Sequence, residues 1–241
     1  MFVRLIHGLK EIVYPKLCLS CREKLNDKAI GGLICPHCWG KIKKNRPPFC
    51  SSCGRQLDKR GFAKNLCPAC QKKTLHFDAV FSPCVYEGVI KELIHKFKYS
   101  GKEHLGPVLA GLMSDFIKEY RLPIDCIDYI IPVPLHKSRL REREYNQAEI
   151  LSRHISEEFK KDVLADAIER FRNTKTQTDL EIGQRMANVK NSFRVRNQQA
   201  IRGKNFLIVD DVLTTAATSS EVAGALKEAG ANIVFVLTLA N

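Results

Sequence analysis

The chain has 241 residues, 44% apolar and 27% charged, which suits a folded globular protein and excludes a disordered one. No apolar run approaches the ~20 residues of a membrane-spanning helix, so the expected location is the cytoplasm. The net charge is +13 and unevenly placed: residues 1–75 hold 16 basic and 4 acidic side chains, residues 76–241 hold 23 and 22. Eight of the ten cysteines fall in the same first third, and two modules are expected, 1–75 and 76–241.

Met1–Pro15 lacks the unbroken apolar core of a signal peptide. It reads as an amphipathic helix with Phe2, Leu5, Ile6, Leu9, Ile12 and Val13 on one stripe, for packing on its own protein or on a membrane surface. Four knuckles follow: Cys18-x2-Cys21, Cys35-x2-Cys38, Cys50-x2-Cys53 and Cys67-x2-Cys70, with 13 residues between the knuckles of each half. Two thiolates two residues apart reach one metal from a tight turn, and a second turn completes a tetrahedron. Two structural Zn sites are expected, each closed by four cysteines. The sites form sequentially, or interleaved with the first and third knuckles together. His37 lies inside a knuckle but is a bystander where four thiolates suffice.

Eight thiolates and two Zn²⁺ bring the module from +12 to about +8, still basic. Lys41, Lys43, Lys44 and Arg46 crowd the segment between the ribbons, and Arg55, Lys59, Arg60 and Lys64 the loop of the second. Such a surface attracts a nucleic-acid backbone or simply keeps the face solvated. No aromatic ladder accompanies the basic run.

From Phe77 onward short apolar runs alternate with amphipathic ones. Strands are predicted at Ala79–Tyr86, Ile127–Val133, Phe206–Val209 and Asn232–Leu239. Helices are predicted at Val89–Tyr99, Leu105–Tyr120, Ala148–Phe159 and Ser219–Ala229, with a polar loop after Val133. Strands apolar on both faces fit a parallel sheet covered by helices, an open α/β fold. Cys84 and Cys126 read as core or near-core thiols.

Ligands of such folds collect beyond the carboxyl ends of the strands. There the sequence runs Val209-Asp210-Asp211-Val212-Leu213-Thr214-Thr215-Ala216-Ala217-Thr218 into a helix. A helix N-terminus with threonine hydroxyls and backbone N–H groups cradles phosphate, and paired carboxylates accept hydrogen bonds from sugar hydroxyls. Together they describe a site for a ribose 5-phosphate; the plain alternative is a capped turn with two solvated acids.

Val209–Thr218 resembles the phosphoribosyl-pyrophosphate (PRPP) motif of type I phosphoribosyltransferases, and the wider chain resembles the ComF family. Further matches are Lys96-Phe97-Lys98-Tyr99-Ser100-Gly101, Ile131-Pro132-Val133-Pro134-Leu135, Arg141–Gln147, Arg170–Gln177 and Arg185–Asn188. The resemblance implies a type I phosphoribosyltransferase-like sheet behind a double zinc ribbon. It places Asp210 and Asp211 on the ribose hydroxyls at the reacting sugar, and Thr214, Thr215, Ala216, Ala217 and Thr218 around the 5′-phosphate. Val133, Pro134 and Leu135 correspond to the pyrophosphate loop, with Lys137, Arg139, Arg141 and Arg143 to neutralise pyrophosphate or a nucleic-acid backbone. Mg²⁺ would accompany PRPP, since a hard cation prefers oxygen ligands. Glycine is usual in the family where Ala216 and Glu144 stand.

The resemblance further implies a role in DNA uptake during natural transformation, with single-stranded DNA and a helicase-like competence partner. The alternative is an active phosphoribosyltransferase that displaces pyrophosphate at the anomeric carbon, with an unknown acceptor. His136, alone in its loop, is a weak catalytic candidate. A scaffold that only binds a partner protein through its ribbons is the third reading.

Overall fold

The structure, a computed structural model, describes residues 15–57, 65–173 and 188–241. The helix expected over Met1–Pro15 lies outside these residues except for Pro15. Lys59, Arg60 and Lys64, and the family segments Thr174–Gln177 and Arg185–Ala187, also lie outside them.

In chain order the elements are α1 (Pro36–Gly40), β1 (Ala79–Phe81), α2 (Gly88–Tyr99), α3 (Gly106–Glu119), β2 (Tyr129–Pro132), α4 (Lys137–Arg143) and α5 (Gln147–Phe159). Then come β3 (Asp162–Val163), β4 (Ile168–Arg170), β5 (Phe193–Val195), β6 (Phe206–Val212), α6 (Ala217–Glu228) and β7 (Val234–Ala240). Five strands form one parallel sheet in the order β1-β7-β6-β2-β3, while β4 and β5 make a separate antiparallel pair.

The unbroken apolar run of β6 is explained by cover on both faces. Leu207 and Val209 pack with Ile94, Leu109 and Leu151 of α2, α3 and α5, whereas Phe206 and Ile208 pack with Val222 and Leu226 of α6. Helices on both faces of a parallel sheet give the expected α/β class. No helix among the described residues is long and apolar enough to cross a membrane.

Three local expectations are corrected. The strand expected over Ala79–Tyr86 stops at Phe81, because Pro83 has no N–H to donate; Cys84 resumes as a single bridge to Ala240. The polar loop after β2 contains α4: the His136 side chain accepts from the Ser138 N–H at 3.2 Å and caps it, and Glu144 ends it in the left-handed region. Cys84 is buried, but Cys126 is exposed and donates to the Pro123 carbonyl at 3.0 Å.

The ribbons do not hang free of this sheet. Cys18, Ile34, Cys38 and Ile42 of the first are continuous with the core around Ile90, Leu93 and Leu105. Gly31 (φ +58°) makes this approach possible, since a Cβ there would stand 2.3 Å from Val108 Cγ2. The segment between the ribbons is stitched to the sheet edge: Lys44 bridges Cys84, and the Val85 N–H donates to the Lys43 carbonyl at 2.9 Å. Asn45 Nδ2 donates to the Ser82 carbonyl at 2.9 Å and to Asn241 Oδ1 at 3.1 Å. The second ribbon keeps a small core of its own, Cys50, Leu57 and Cys70. It is tied to the sheet by Asn241 Nδ2 donating to the Cys53 carbonyl at 2.7 Å.

Candidate functional site

The knuckles resolve into two tetrads. Ligand atoms of Cys18, Cys21, Cys35 and Cys38 lie within 4.8 Å of one another, and so do those of Cys50, Cys53, Cys67 and Cys70. The grouping is therefore sequential, not interleaved, and His37 joins neither. A tetrahedron with metal–sulfur arms of about 2.3 Å has edges of about 3.8 Å. The Cys21–Cys35 and Cys53–Cys67 sulfur separations are both 3.7 Å, so the donor sets fit zinc. Equivalent amides support the charge in each half: Cys35 N–H donates to Cys18 Sγ and Cys67 N–H to Cys50 Sγ, both at 3.3 Å. Four thiolates per site leave no open position for catalysis.

The second site is a cavity of about 430 Å³ beyond the carboxyl ends of β2 and β6. Val133, Pro134 and Leu135 line one side as β2 ends. Asp210, Asp211 and the loop residues Thr214, Ala216, Ala217 and Thr218 line the other, and Arg139 comes from α4. Lys137 is exposed in the first turn of α4, off the cavity wall. Thr215 is buried behind the loop, where its Oγ1 accepts from the Ala217 N–H at 3.4 Å.

The two acids are not equivalent. The strand runs on through them to Val212, and successive side chains of a strand point to opposite faces. Asp211, on the face of Leu207 and Val209, meets α2: Lys98 Nζ stands 2.7 Å from its Oδ1. Asp210 faces the other way, and its Oδ1 accepts from the Asp211 N–H at 2.8 Å. Burial pushes the Asp210 carboxyl up to about 7, helped by the charge of Asp211 and opposed by Lys98 and Arg170. Burial alone would lower the Lys98 ammonium, but Asp211 outweighs it and holds the pKa above the ordinary lysine value. Burial, with Arg139 beside it, draws Arg170 down to about 10 against the pull of Asp210.

The sequence assigned no role to several residues that complete this wall. Lys91, Lys98 and Tyr99 come from α2, Gln147 from α5 and Arg170 from β4. Lys98, Tyr99, Gln147 and Arg170 fall inside the family-matching segments, a signal without a chemical reading; Lys91 gave none. Arg143 lies 4.8 Å from the Tyr99 ring centroid and donates to Tyr99 Oη at 3.0 Å and to Gln147 Oε1 at 3.1 Å. Gln147 is 1% exposed, and its Nε2 has no hydrogen-bond partner among the described residues. Asn146 fixes the entry to α5, donating to the Val133 carbonyl at 3.1 Å while its Oδ1 accepts from the Ala148 N–H at 3.1 Å. Five cations thus face two acids across the cavity, which suits an anionic ligand carrying hydroxyls.

The two departures from the glycine pattern share one geometry: Ala216 has φ +66° and Glu144 φ +68°. The fold holds both residues in the left-handed conformation, which glycine adopts without the cost of a Cβ. Glu144 is exposed and does not line the cavity.

The chain matches the model of the double zinc ribbon domain over residues 9–71 and that of the phosphoribosyl transferase domain over residues 146–241. It is 33% identical over 156 residues to the DNA utilization protein YhgH of Shigella flexneri, covering 64% of this chain and 68% of that one. Competence protein F of Haemophilus influenzae is 31% identical over 153 residues, covering 61% and 66%. Competence protein ComFC of Bacillus subtilis is 27% identical over 216 residues, covering 89% and 79%.

Proposed function

The chain belongs to the ComF family, and we propose that it handles single-stranded DNA in natural transformation, gripping the strand with its zinc ribbons and holding a PRPP-type sugar phosphate in the cavity. One observation carries the reading: the exposed cations between and within the ribbons. Lys41, Lys43, Lys44, Arg46 and Arg55 are all exposed, and among the described residues Lys43 alone of these has a carboxylate partner, Glu87 at 3.2 Å. Unneutralised cations on a metal-stiffened scaffold release counterions from a phosphate backbone on binding. The names of the relatives, DNA utilization protein and competence protein, support the same reading. It places the protein in the cytoplasm, with a helicase-like competence protein as partner.

The double substitution Lys44→Glu/Arg46→Glu tests it, with fluorescence anisotropy on an oligothymidylate. Binding falls at least tenfold if these side chains meet phosphates. An unchanged affinity removes the ribbons from the DNA interface. Truncation at residue 75 is a poorer test, because it would strip cover from a shared core.

The cation-lined cavity favours a second reading, an active phosphoribosyltransferase. Displacement of pyrophosphate at the anomeric carbon develops positive charge on the sugar and negative charge on the leaving group. Arg139, Arg143 and Lys91 would take the leaving charge, while Asp210 and Asp211 would orient the ribose, so catalysis rests on positioning and electrostatics. Mg²⁺, when bound with PRPP, would screen the pyrophosphate. Calorimetric titration of Mg-PRPP, with the Asp210→Asn/Asp211→Asn protein as control, decides whether the pocket works. Micromolar binding lost in the control supports it, and absence of heat from folded, zinc-loaded protein refutes it.

A further inference from the structure

We propose that the cavity receives the free 3′-hydroxyl end of the single strand whose body lies on the ribbons. This rests on the DNA reading above and adds which part of the strand enters the pocket. The first ground is continuity. The Leu213 N–H, at the start of the threonine loop, donates to the Ala240 carbonyl at 2.9 Å, and the next residue, Asn241, joins both ribbon contacts. The Tyr86 N–H donates to the Asn241 carbonyl at 2.9 Å, and Tyr86 lines the cavity. Asn241, itself buried, thus ties the backbone behind the cavity to Asn45, between Lys44 and Arg46, and to the second ribbon. Thr214, just beyond Leu213, is exposed and leaves the loop open to solvent.

The second ground is a surface for a base. Tyr99 is 46% exposed on the cavity wall, although large apolar and aromatic side chains are mostly withdrawn elsewhere. Arg143 holds the ring, and the buried Gln147 amide beside it offers a donor that no described residue uses. A free sugar phosphate needs neither group. With His95 5.0 Å and Arg143 4.8 Å from its centroid, the ring leaves its exposed part for a nucleobase to pack on, and a base such as thymine presents oxygen acceptors to an amide. The cavity, about 430 Å³, is of the size that encloses one small ligand, so one nucleotide enters and the rest stays outside.

Chemistry then fixes the polarity. The carboxyl oxygens of Asp210 and Asp211 accept hydrogen bonds from a hydroxyl, whereas a phosphodiester has no proton to give them. A DNA strand entering by its 5′ end would carry its first 3′-phosphodiester against these acids. Entering by its 3′ end it offers them a hydroxyl, places the preceding phosphate at the threonine loop, and leads the next ones out of the cavity toward the exposed Lys44 and Arg46.

The test uses the full zinc-loaded chain and 5′-labelled oligothymidylates of about 12 nucleotides ending in a 3′-hydroxyl or a 3′-phosphate. The 3′-hydroxyl strand should bind about tenfold more tightly. Tyr99→Ala should erase that preference by weakening the 3′-hydroxyl strand about tenfold, the range of one stacked base, and Tyr99→Phe should keep it. Equal, measurable affinity for both ends, or equal loss for both in Tyr99→Ala, overturns end recognition while leaving DNA on the ribbons. No affinity for either oligonucleotide overturns both.

Discussion

Ala216 and Glu144 show how a single side chain can work against the fold that holds it. Each sits at positive φ, where a Cβ costs roughly 1–2 kcal/mol, partly offset by the larger chain entropy that glycine loses on folding. Ala216→Gly and Glu144→Gly should each stabilise the protein by about 0.5–1 kcal/mol, seen as a rise of about 2 °C in the thermal midpoint. A fall at either position would show that the Cβ makes a contact outweighing its strain. Asp210 carries a different kind of strain. Its folded pKa of about 7 lies above the ordinary 3.8, so the fold prefers the neutral acid. That preference is intact below about pH 4 and is lost as the pH rises through about 7, where the carboxyl ionises inside the cavity. Asp210→Asn should therefore match the parent in thermal stability near pH 4, exceed it increasingly from about pH 4 to pH 7, and keep a constant margin above that. Parallel pH–stability curves would contradict the raised pKa. The acids and threonines were legible because they are contiguous in the chain. Lys98, which pairs with Asp211, was not, because only the packing of α2 on the sheet brings it there.

At the level of elements, legibility follows burial. Phe206–Val209 and Ile233–Leu237 announce themselves as strands because both their faces are covered, so neither carries a polar side. The end of β6 was hidden because Asp210 and Asp211 break the apolar run while the backbone pairing continues, Asp210 opposite Thr238 and Val212 opposite Ala240. α4 was hidden because Lys137–Arg143 has no apolar stripe, and its one large apolar residue, Leu140, is exposed. The internal repeat announced two ribbons but concealed that they dock differently. Cys18 and Cys38 belong to the main core, whereas Cys50 and Cys70 close a small cluster with Leu57. Metal binding supplies much of the folding energy of such modules. Cys18→Ser should thus lower the thermal midpoint of the whole protein by well over 5 °C, because the wall over Ile90 and Leu93 loosens with it. Cys50→Ser should release one zinc per chain with a smaller loss. Both are read by metal analysis beside a melting curve, and equal losses would show that the second ribbon is as much a part of the core as the first.

Across the whole molecule the charge map separates two concentrations of cations, one on the ribbons and one around the cavity. The first third carries almost all of the +13, yet the cavity draws its cations from the nearly neutral remainder. Composition could show the first concentration but not the second, since Lys98, Arg139, Arg143 and Arg170 meet only when three elements, α2, α4 and β4, assemble. The two sets should respond differently to salt. On the proposed function, exposed ribbon cations would act through counterion release, each phosphate contact on a single strand contributing about −0.7 to the slope of log affinity against log salt. Lys44→Glu and Arg46→Glu should therefore each make the slope for a single-stranded oligonucleotide shallower by about 0.7, while Mg-PRPP affinity stays within about twofold of the parent. Lys98→Ala should do the reverse. It leaves Asp211, 6% exposed, without its ammonium, so PRPP affinity falls while the slope set by the ribbons holds. Slopes measured by anisotropy from about 50 to 200 mM salt, beside calorimetry of PRPP, would distinguish these cases. If Lys98→Ala flattened the salt slope as much as the ribbon substitutions do, the DNA backbone would have to run through the cavity itself, not only end there.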